Sequence, residues 1–200
     1  MPDWQAEAII LSVRPHGEGS AVISVLTADY GRHAGLVRGG ASSRMRGIIQ
    51  PGNRVAVSWR ARLSEQLGQM QIELVQSVSA LLLDSPLRLS GVASMCALLD
   101  GALPEREAQS GLFEGSAALL DVIVLDDDNA GWIEGYVRWE LGLLAAVGYR
   151  LDLARCVASG QTNDLAFVSP KSGGAVARHQ AGSFASRMLA LPMFLGGVSC

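Results

Sequence analysis

Residues 21–37 have the sequence AVISVLTADYGRHAGLV, and this stretch decides the fold of the first part of the chain. Its first seven residues are mostly apolar and rich in β-branched side chains, which is typical of a strand. Asp29, Tyr30 and Gly31 then supply a turn in which the glycine can take a positive φ. Residues 33–37 predict the next strand. The stretch therefore predicts two short strands that a tight turn connects.

Three more short strands are predicted around this pair, at residues 8–13, 54–59 and 69–75. Five strands within the first 80 residues predict a small closed or partly closed barrel. The strand count fits both a five-stranded oligonucleotide/oligosaccharide-binding barrel (OB-fold) and an SH3-like barrel. The long basic connection at residues 38–51 favours the OB-fold, because the chain of that fold crosses the end of the barrel between strands three and four.

After residue 80 the apolar residues recur with the period of a helix. Ser85 and Pro86 predict the start of the first helix, and Gly101 predicts its end. A second apolar stripe occupies residues 112–124, and a third helix is predicted from about residue 130 to residue 147.

The remaining part of the chain has weaker signals. Residues 155–178 are predicted to be loop-like, and a short helix is predicted to begin near Ser183. The fold class is therefore α+β, with an N-terminal barrel domain at residues 1–80 and a helical domain at residues 81–200.

The composition excludes several classes of protein. Of the 200 residues, 49% are apolar and 18% are charged, which is enough for a buried core and excludes wholesale disorder. Cys96, Cys156 and Cys200 show no pairing or metal spacing, which favours reduced thiols in the cytoplasm. The acidic start and the short uncharged run at residues 188–200 predict neither a signal peptide nor a membrane span. We expect a soluble cytoplasmic protein.

The charges are distributed unevenly along the chain. The formal net charge is −3, yet residues 32–62 contain seven arginines and no Asp or Glu. A basic segment in an acidic chain predicts a localised anionic partner, and a solvated face that binds nothing is the alternative. Phosphate contacts need such donors. The candidate DNA-binding residues are therefore Arg32, Arg38, Arg44, Arg46, Arg54, Arg60 and Arg62.

Trp59 has two possible roles on the fourth predicted strand. Facing outward, it would be a platform on which a base stacks, and facing inward, it would belong to the core. Val55 and Val57 have the same parity as Trp59, which favours the inward orientation. The arginines of opposite parity then face outward together: Arg54, Arg60 and Arg62.

No catalytic constellation is apparent in the sequence. His16, His33 and His179 are scattered, and the glycine-rich turns lack the lysine of a phosphate loop. The acidic run at residues 126–128 is interpreted as a helix cap, because consecutive residues at a helix start do not easily converge on one metal ion. We therefore predict a protein that is not an enzyme and holds no cofactor.

Five stretches carry a family resemblance. They are EAIILSVR at 7–14, GEGS at 17–20, TADYGR at 27–32, LVRGG at 36–40, and WELGLLAAVGY at 139–149 with Cys156 after it. In this order along nearly the whole chain, the motifs resemble the bacterial RecO family of recombination mediators. The first four are similar to its first strand and loop, second turn and basic connection, and the last is similar to its central helix.

This resemblance implies an N-terminal OB-fold and a helical domain with a zinc-finger-like loop at about residues 155–178. It also implies binding and annealing of single-stranded DNA, association with RecR, and loading of RecA onto DNA coated by single-strand-binding protein. Double-stranded DNA is a second expected partner, and association with the nucleoid is the expected location. The alternative function is a protein-interaction adaptor whose basic barrel contacts an acidic protein.

The zinc site of that family is incomplete in this sequence. Zinc-containing members carry two Cys-x-x-Cys pairs, whereas here Cys156 is accompanied by Ser159, Ala177 and Gln180 at expected ligand positions. One thiolate cannot hold a tetrahedral zinc ion, so we expect a degenerate loop without metal. The family also continues beyond the positions that match residues 190–195. That difference indicates a truncated chain or a natural one that lacks this end.

Overall fold

The computed structural model describes residues 2–126 and 130–198. Two compact units divide the chain, Met1–Tyr136 and Val137–Cys200. The domain boundary predicted near residue 80 lies inside the first unit and stays a prediction.

Five strands of the first unit form a closed barrel in the order β1-β2-β3-β5-β4. Neighbouring strands are antiparallel except β3 and β5, which pair in parallel through Leu36 and Gln69. A five-stranded closed barrel of this kind is consistent with the OB-fold. The strands are β1 (Asp3–His16), β2 (Ser20–Thr27), β3 (Gly31–Arg38), β4 (Arg54–Arg60) and β5 (Gln69–Gln76).

Strand β1 is longer than the sequence predicted because it serves two neighbours. Its first half pairs with β4, and its second half pairs with β2, with a register shift between Ile10 and Ser12. Such an irregularity lets one strand bend around a small barrel. The strand predicted at residues 8–13 is too short at both ends, and Pro15 and His16 beyond it also pair with β2.

The barrel core follows the alternation of the strands. Val55, Val57 and Trp59 face inward, and the last is only 3% exposed, which confirms the inward orientation of the indole. Burial of a Val, Ile or Leu side chain stabilises a fold by about 1.5–3 kcal/mol. The other fully buried members of this core include Ala8, Ile10, Ile23, Val25 and Met70.

Four helices accompany the barrel in the first unit: α1 (Ser43–Ile48), α2 (Val78–Leu81), α3 (Pro86–Ala102) and α4 (Ser110–Leu125). The start of α3 at Pro86 confirms one prediction, but Ser85 makes no side-chain cap bond. Gly101 was predicted to end α3, and this was wrong. The helix ends before Leu103, because the following Pro104 disfavours helical backbone at the residue before it.

Helices α3 and α4 cover part of the barrel. Helix α3 packs on β1, where the Cys96 thiol donates to the Ile10 carbonyl at 3.5 Å, and α4 contacts β2. Ser24 and Leu26 have outward parity on β2 but are buried. This side of the barrel is therefore closed to ligands.

Helix α5 (Ala130–Ala146) matches the third predicted helix. The carboxylate of Asp126 accepts a hydrogen bond from the Trp132 amide at 2.7 Å, which agrees with the helix-cap interpretation. Asp127 and Asp128 lie outside the described residues. Gly148 takes a positive φ of 93° just beyond the helix, as expected for a stop signal.

The second unit contains a small four-stranded sheet, ordered β6-β8-β7-β9. The prediction of a loop at residues 155–178 was therefore wrong. Strands of four or five residues are too short to show a reliable alternation, and all four residues of β8 are buried. The strands are β6 (Asp152–Cys156), β7 (Leu165–Val168), β8 (Gly174–Ala177) and β9 (Leu189–Ala190).

Close packing shapes this sheet. A Cβ on Gly174 would lie 2.1 Å from a side-chain carbon of Val157, so a larger residue there would require the Val157 side chain to move. The predicted short helix near Ser183 falls in a helical segment, α6 (Arg178–Ala181) followed by a 3-10 turn (Gly182–Arg187).

Within residues 2–126 and 130–198, no helix combines the length and apolar character that crossing a bilayer requires.

Candidate nucleic-acid interface

The seven predicted arginines fall into two groups. Arg32 and Arg54 are partly buried and form ion pairs with acids of the helices and of the segment after α3. The other five are exposed, and none of them forms an ion pair within the part of the chain that the structure describes. These five, called the exposed arginines below, are Arg38, Arg44, Arg46, Arg60 and Arg62.

Arg32 holds the segment after α3 against the start of β3. Its Nε donates to the Leu103 carbonyl at 2.8 Å, and Nη1 lies 3.4 Å from both Asp100 Oδ1 and Glu105 Oε1. The side chain is only 17% exposed. Two of its three nitrogens are thus engaged within the protein, which makes Arg32 a poor candidate for a phosphate contact.

Arg54 joins the start of β4 to helix α4. Its Nη1 lies 3.1 Å from Asp121 Oδ1. The outward row predicted from parity therefore contains one paired arginine and two exposed ones, Arg60 and Arg62.

Three exposed arginines lie on the connection between β3 and β4. Arg38 ends β3, and Arg44 and Arg46 lie on α1. The sequence predicts a long basic connection at residues 38–51, and the structure forms this short helix within it. The Ser42 hydroxyl accepts from the Met45 amide at 3.3 Å and starts this helix.

Buried Asn53 fixes the end of α1, a role that no sequence pattern indicated. Its side-chain amide donates to the carbonyls of Gly47 and Ile48 at 3.3 and 3.0 Å, and its side-chain oxygen accepts from the Ser79 amide at 3.0 Å. One buried side chain thus links α1, β4 and α2.

An apolar pocket of about 480 Å³ lies beside α1, and Arg46 is one of the residues that line it.

The other two exposed arginines flank a groove of about 560 Å³. Leu36 of β3 lines it and is called the groove floor below, and the connection between β4 and β5 at residues 61–68, which also lines it, is called the wall loop. Arg60 is opposite Gln69 in the sheet, and Gln69 is opposite Leu36, so Arg60 and Leu36 lie at the same level on opposite sides of β5. The residues that line the groove are Leu36, Arg60, Ala61, Arg62, Gln66, Leu67, Gly68 and Gln69.

The wall loop is anchored to the barrel at its end. The Trp59 indole donates to the Leu67 carbonyl at 2.9 Å, and the Leu36 amide donates to the Gly68 carbonyl at 3.0 Å. Gly68 has a positive φ of 69°, and a Cβ there would lie 2.4 Å from Trp59 Nε1. Gly68 is therefore required for this close approach.

Trp59 belongs to an aromatic cluster inside one end of the barrel. Trp4 stacks on Tyr30 with centroids 4.4 Å apart, and Trp59 lies 5.8 Å from Trp4 on a nearly parallel plane. His33 meets Trp59 edge to face at 4.6 Å. These rings fill the barrel end, so the ring face of Trp59 is covered. Its indole N–H is the part that contacts the wall loop, at the Leu67 carbonyl.

His33 is an ionisable group without a hydrogen-bond partner in this cluster. It is 4% exposed, and neither ring nitrogen has a hydrogen-bond partner among the described residues. Burial and, as a smaller cause, the positive charge of Arg106 together lower the pKa of His33 from 6.5 to about 4. His33 is thus neutral at pH 7.

The electrostatic surroundings of the groove are mixed but favour anions. Asp3 is opposite Arg60 in the sheet, and Glu65 lies in the wall loop. Three arginines outnumber these two acids: Arg60 and Arg62 line the groove, and Arg38 lies two residues along β3 from the groove floor. The arrangement can hold an anion beside an apolar surface.

No metal centre is apparent in the part of the chain that the structure describes. There, no group of three or more His, Cys, Asp and Glu residues is placed to hold an ion. Cys156 is buried, and its sulfur accepts a hydrogen bond from the Ala177 amide at 3.3 Å. The predicted absence of zinc stays a prediction, and Cys200 lies outside the described residues.

Together, a closed five-stranded barrel, an exposed basic connection and a groove beside the wall loop define the class of small β-barrel proteins with a cationic groove. Comparison with known proteins identifies the family. The model described as "Recombination protein O N terminal" matches residues 1–78, and "Recombination protein O C terminal" matches residues 83–199. The chain therefore belongs to the recombination protein O (RecO) family.

Relatives agree with this assignment over nearly the whole chain. A protein of Rhodospirillum centenum named DNA repair protein RecO is 50% identical over 199 residues, which cover 98% of this chain and 78% of the relative. A protein of the same name from Cereibacter sphaeroides is 49% identical over 197 residues, with 98% and 80% covered. One from Rhodospirillum rubrum is 45% identical over 197 residues, with 98% and 78% covered.

Proposed function

We propose that this protein binds single-stranded DNA in the groove between β3 and the wall loop. The observation that carries the proposal is an apolar floor flanked by two exposed arginines without ion-pair partners among the described residues. Leu36 and Leu67 offer apolar surface to unstacked bases, while Arg60 and Arg62 offer donors to phosphates. A single strand presents both kinds of surface at once.

The exposed arginines of the connection extend this surface. Arg38 lies on β3 beyond Leu36, and Arg44 and Arg46 continue on α1. A duplex hides its base faces by stacking, so it would engage the arginines through phosphates alone. Double-stranded DNA is accordingly proposed as the weaker ligand.

Family membership supports a role in recombinational DNA repair. Relatives carry the name DNA repair protein RecO, and we propose a non-catalytic mediator with the same role here. The arginines would hold phosphates of separate strands and lower their mutual repulsion, so that complementary bases can pair. The helical part would recruit RecR and contact single-strand-binding protein, and RecA would then be loaded onto the uncovered DNA.

Titration with a fluorescent oligothymidylate at several salt concentrations tests the binding proposal. Each phosphate contact contributes roughly 0.7 to the slope of log affinity against log salt for a single strand. Arg60→Ala with Arg62→Ala is therefore expected to reduce the slope by about 1.4. The matched control is Arg155→Ala, which removes an exposed arginine of the second unit that pairs with Asp152.

Leu67→Ser tests the contribution of the groove itself. We expect weaker binding of single strands and unchanged binding of duplex, because only unstacked bases reach the apolar wall. Equal losses for both ligands would contradict a base-binding groove. A folded wild-type protein that binds neither ligand would support the alternative function, a barrel that contacts an acidic protein.

An annealing assay tests the mediator role separately. Two complementary labelled oligonucleotides coated with single-strand-binding protein are mixed with this protein, and pairing is followed by energy transfer. We expect faster pairing than in its absence, and the Arg60→Ala, Arg62→Ala variant is expected to lose this acceleration. Binding without annealing would restrict the proposal to DNA binding.

A further inference from the structure

Arg106 makes contacts that the sequence did not indicate. It follows α3, is partly buried, and takes a positive φ of 64°, which is uncommon for a residue with a side chain. Its Nη2 donates to the Gln66 carbonyl at 2.9 Å, and its Nη1 donates to the Ser64 carbonyl. One guanidinium thus joins two backbone oxygens of the wall loop across about forty residues of sequence.

The middle of the wall loop has little other support. Its side chains at residues 62–67 are exposed. The Trp59 indole holds only the end of the loop, at Leu67, and the Ala61 amide holds its beginning by donating to the Pro2 carbonyl at 3.1 Å. Among the described residues, Arg106 supplies the hydrogen bonds that connect residues 64–66 to the chain outside the wall loop, whereas Gln66 also bonds to Leu63 within the loop.

Arg106 is itself held firmly in place. Its amide donates to the Arg32 carbonyl at 2.8 Å, while the Arg32 side chain bonds back to the same segment at Leu103 and Glu105. The neighbouring backbone is also tightly packed, since a Cβ on Gly31 would lie 1.7 Å from the Glu107 carbonyl oxygen. The Arg106 side chain therefore extends from a backbone segment that hydrogen bonds and close packing hold in place.

We propose that Arg106 is a positioning residue for single-stranded DNA binding, because it holds the wall loop in the conformation that forms the groove. The inference rests on the proposed function of that groove. Arginine suits the role because its planar fork can satisfy two carbonyls at once, which a lysine ammonium cannot do with the same geometry. Its two terminal nitrogens bond loop carbonyls, so it adds no phosphate contact of its own.

This role differs from a phosphate contact in a measurable way. Loss of a phosphate contact lowers both the affinity and the salt slope, by roughly 0.7 per contact. Loss of a loop anchor lowers the affinity while the slope stays the same, since every phosphate partner remains. Arg106→Ala removes both the charge and the loop anchor, so a direct phosphate contact would lower the salt slope of this variant. Arg106→Lys keeps the charge and removes only the bidentate geometry.

The experiment compares the wild-type chain with Arg106→Lys, Arg106→Ala, Arg62→Ala and the control Arg155→Lys. Affinity for oligothymidylate is measured at several salt concentrations, and hydrogen exchange of backbone amides is measured by mass spectrometry. For Arg106→Lys we expect a loss of affinity of roughly ten-fold, equivalent to one or two hydrogen bonds, with an unchanged salt slope. We also expect faster exchange confined to residues 61–68.

A second variant approaches the same loop from the barrel. Trp59→Phe keeps a ring in the core and removes the indole donor to the Leu67 carbonyl. We expect it to accelerate exchange in residues 61–68 and to lower single-strand affinity with an unchanged slope. Agreement between the two variants supports positioning even where one of them loses stability.

Three results would overturn the inference. Wild-type affinity of Arg106→Lys would show that the anchor does not matter, and a reduced salt slope of Arg106→Ala would show a direct phosphate contact instead. Accelerated exchange throughout the barrel strands would show a general loss of stability. If Arg62→Ala lowers affinity and slope while Arg106→Lys changes nothing, only this inference fails. If Arg62→Ala also changes nothing, the proposed groove fails.

Discussion

Arg32 and Arg44 lie twelve positions apart in one basic segment, yet the fold uses them differently. Arg32 is 17% exposed and contacts two acids and one carbonyl, whereas Arg44 lies exposed on α1. The difference comes from their neighbours. Helix α3 and the segment after it bring acids to the start of β3, and nothing comparable reaches α1 among the described residues.

A cluster of cationic residues in a sequence therefore overestimates how many of them lie on a binding surface. A cation that enters a partly buried site needs a partner, because the loss of hydration is costly without one. An exposed cation remains hydrated and can exchange its water and counterions for a phosphate. The predictions below test whether this division between buried and exposed arginines is correct.

Arg32→Ala is expected to have the largest effect on stability. Removal of the guanidinium leaves Asp100, which is 15% exposed, without its closest ion-pair partner. Breaking a buried pair in this way costs about 3 kcal/mol in the free energy of unfolding. Urea denaturation followed by tryptophan fluorescence measures it. Arg44→Ala is the matched control and is expected to change stability by less than about 0.5 kcal/mol.

The salt dependence of DNA binding completes this test. At temperatures where Arg32→Ala remains folded, its slope of log affinity against log salt should equal that of the wild type. A reduced slope would place Arg32 among the phosphate contacts and would remove the division between the two groups.

His33 extends the comparison from arginine to histidine. Burial lowers its pKa in the folded protein to about 4, below the ordinary value of 6.5 that it has when unfolded. The unfolded chain therefore binds the extra proton first, so stability is full above pH 6.5 and is lost as the pH falls towards 4. The expected loss from this group is up to about 3 kcal/mol.

Urea unfolding at several pH values measures this loss, and His33→Leu provides the comparison. We expect the variant to lose less stability than the wild type between pH 6.5 and 4, because leucine suits the aromatic cluster without titrating. His16→Leu is the control, since His16 is exposed. Identical pH profiles for wild type and His33→Leu would contradict a neutral buried imidazole.

The barrel was predictable because its signals are local and repeated. Strand alternation placed Val55, Val57 and Trp59 inside, and Gly31 marked the turn between β2 and β3. The small sheet of the second unit was not predictable in this way. Strands such as GAVA at Gly174–Ala177 have neither the length nor the β-branched content of an isolated strand, and they exist because their neighbours bury them.

The candidate site was predictable only in part, for a related reason. The exposed arginines follow from the basic segment, but the floor and wall of the groove depend on contacts between residues distant in sequence. Leu36 meets the wall loop through the parallel pairing of β3 with β5. Arg106 reaches the same loop from beyond α3, and no spacing rule connects it with Ser64 or Gln66.

The double variant Arg44→Ala, Arg46→Ala tests the exposed side of the comparison. Two lost phosphate contacts should reduce the salt slope for single-stranded DNA by about 1.4 and weaken binding on the order of ten-fold near 0.15 M salt. The loss should be similar for every DNA sequence, because phosphates carry no sequence information. Fluorescence anisotropy with several oligonucleotides measures both quantities. An unchanged affinity and slope in a folded variant would remove α1 from the interface.

Arg54→Ala is expected to have the smallest effect, because Arg54 lies between the two groups. Its side chain is 26% exposed and that of its partner Asp121 is 50% exposed, so solvent screens the pair. Such a pair contributes about 0.5 kcal/mol. A double-mutant cycle with Asp121→Ala should yield that coupling in low salt and less in 1 M salt. The salt slope of DNA binding by Arg54→Ala shows which group of arginines Arg54 joins when DNA is present. An unchanged slope places it with Arg32 as a structural residue. A slope reduced by roughly 0.7 means that the guanidinium leaves Asp121 for a phosphate, and an ion partner alone then does not exclude an arginine from the interface.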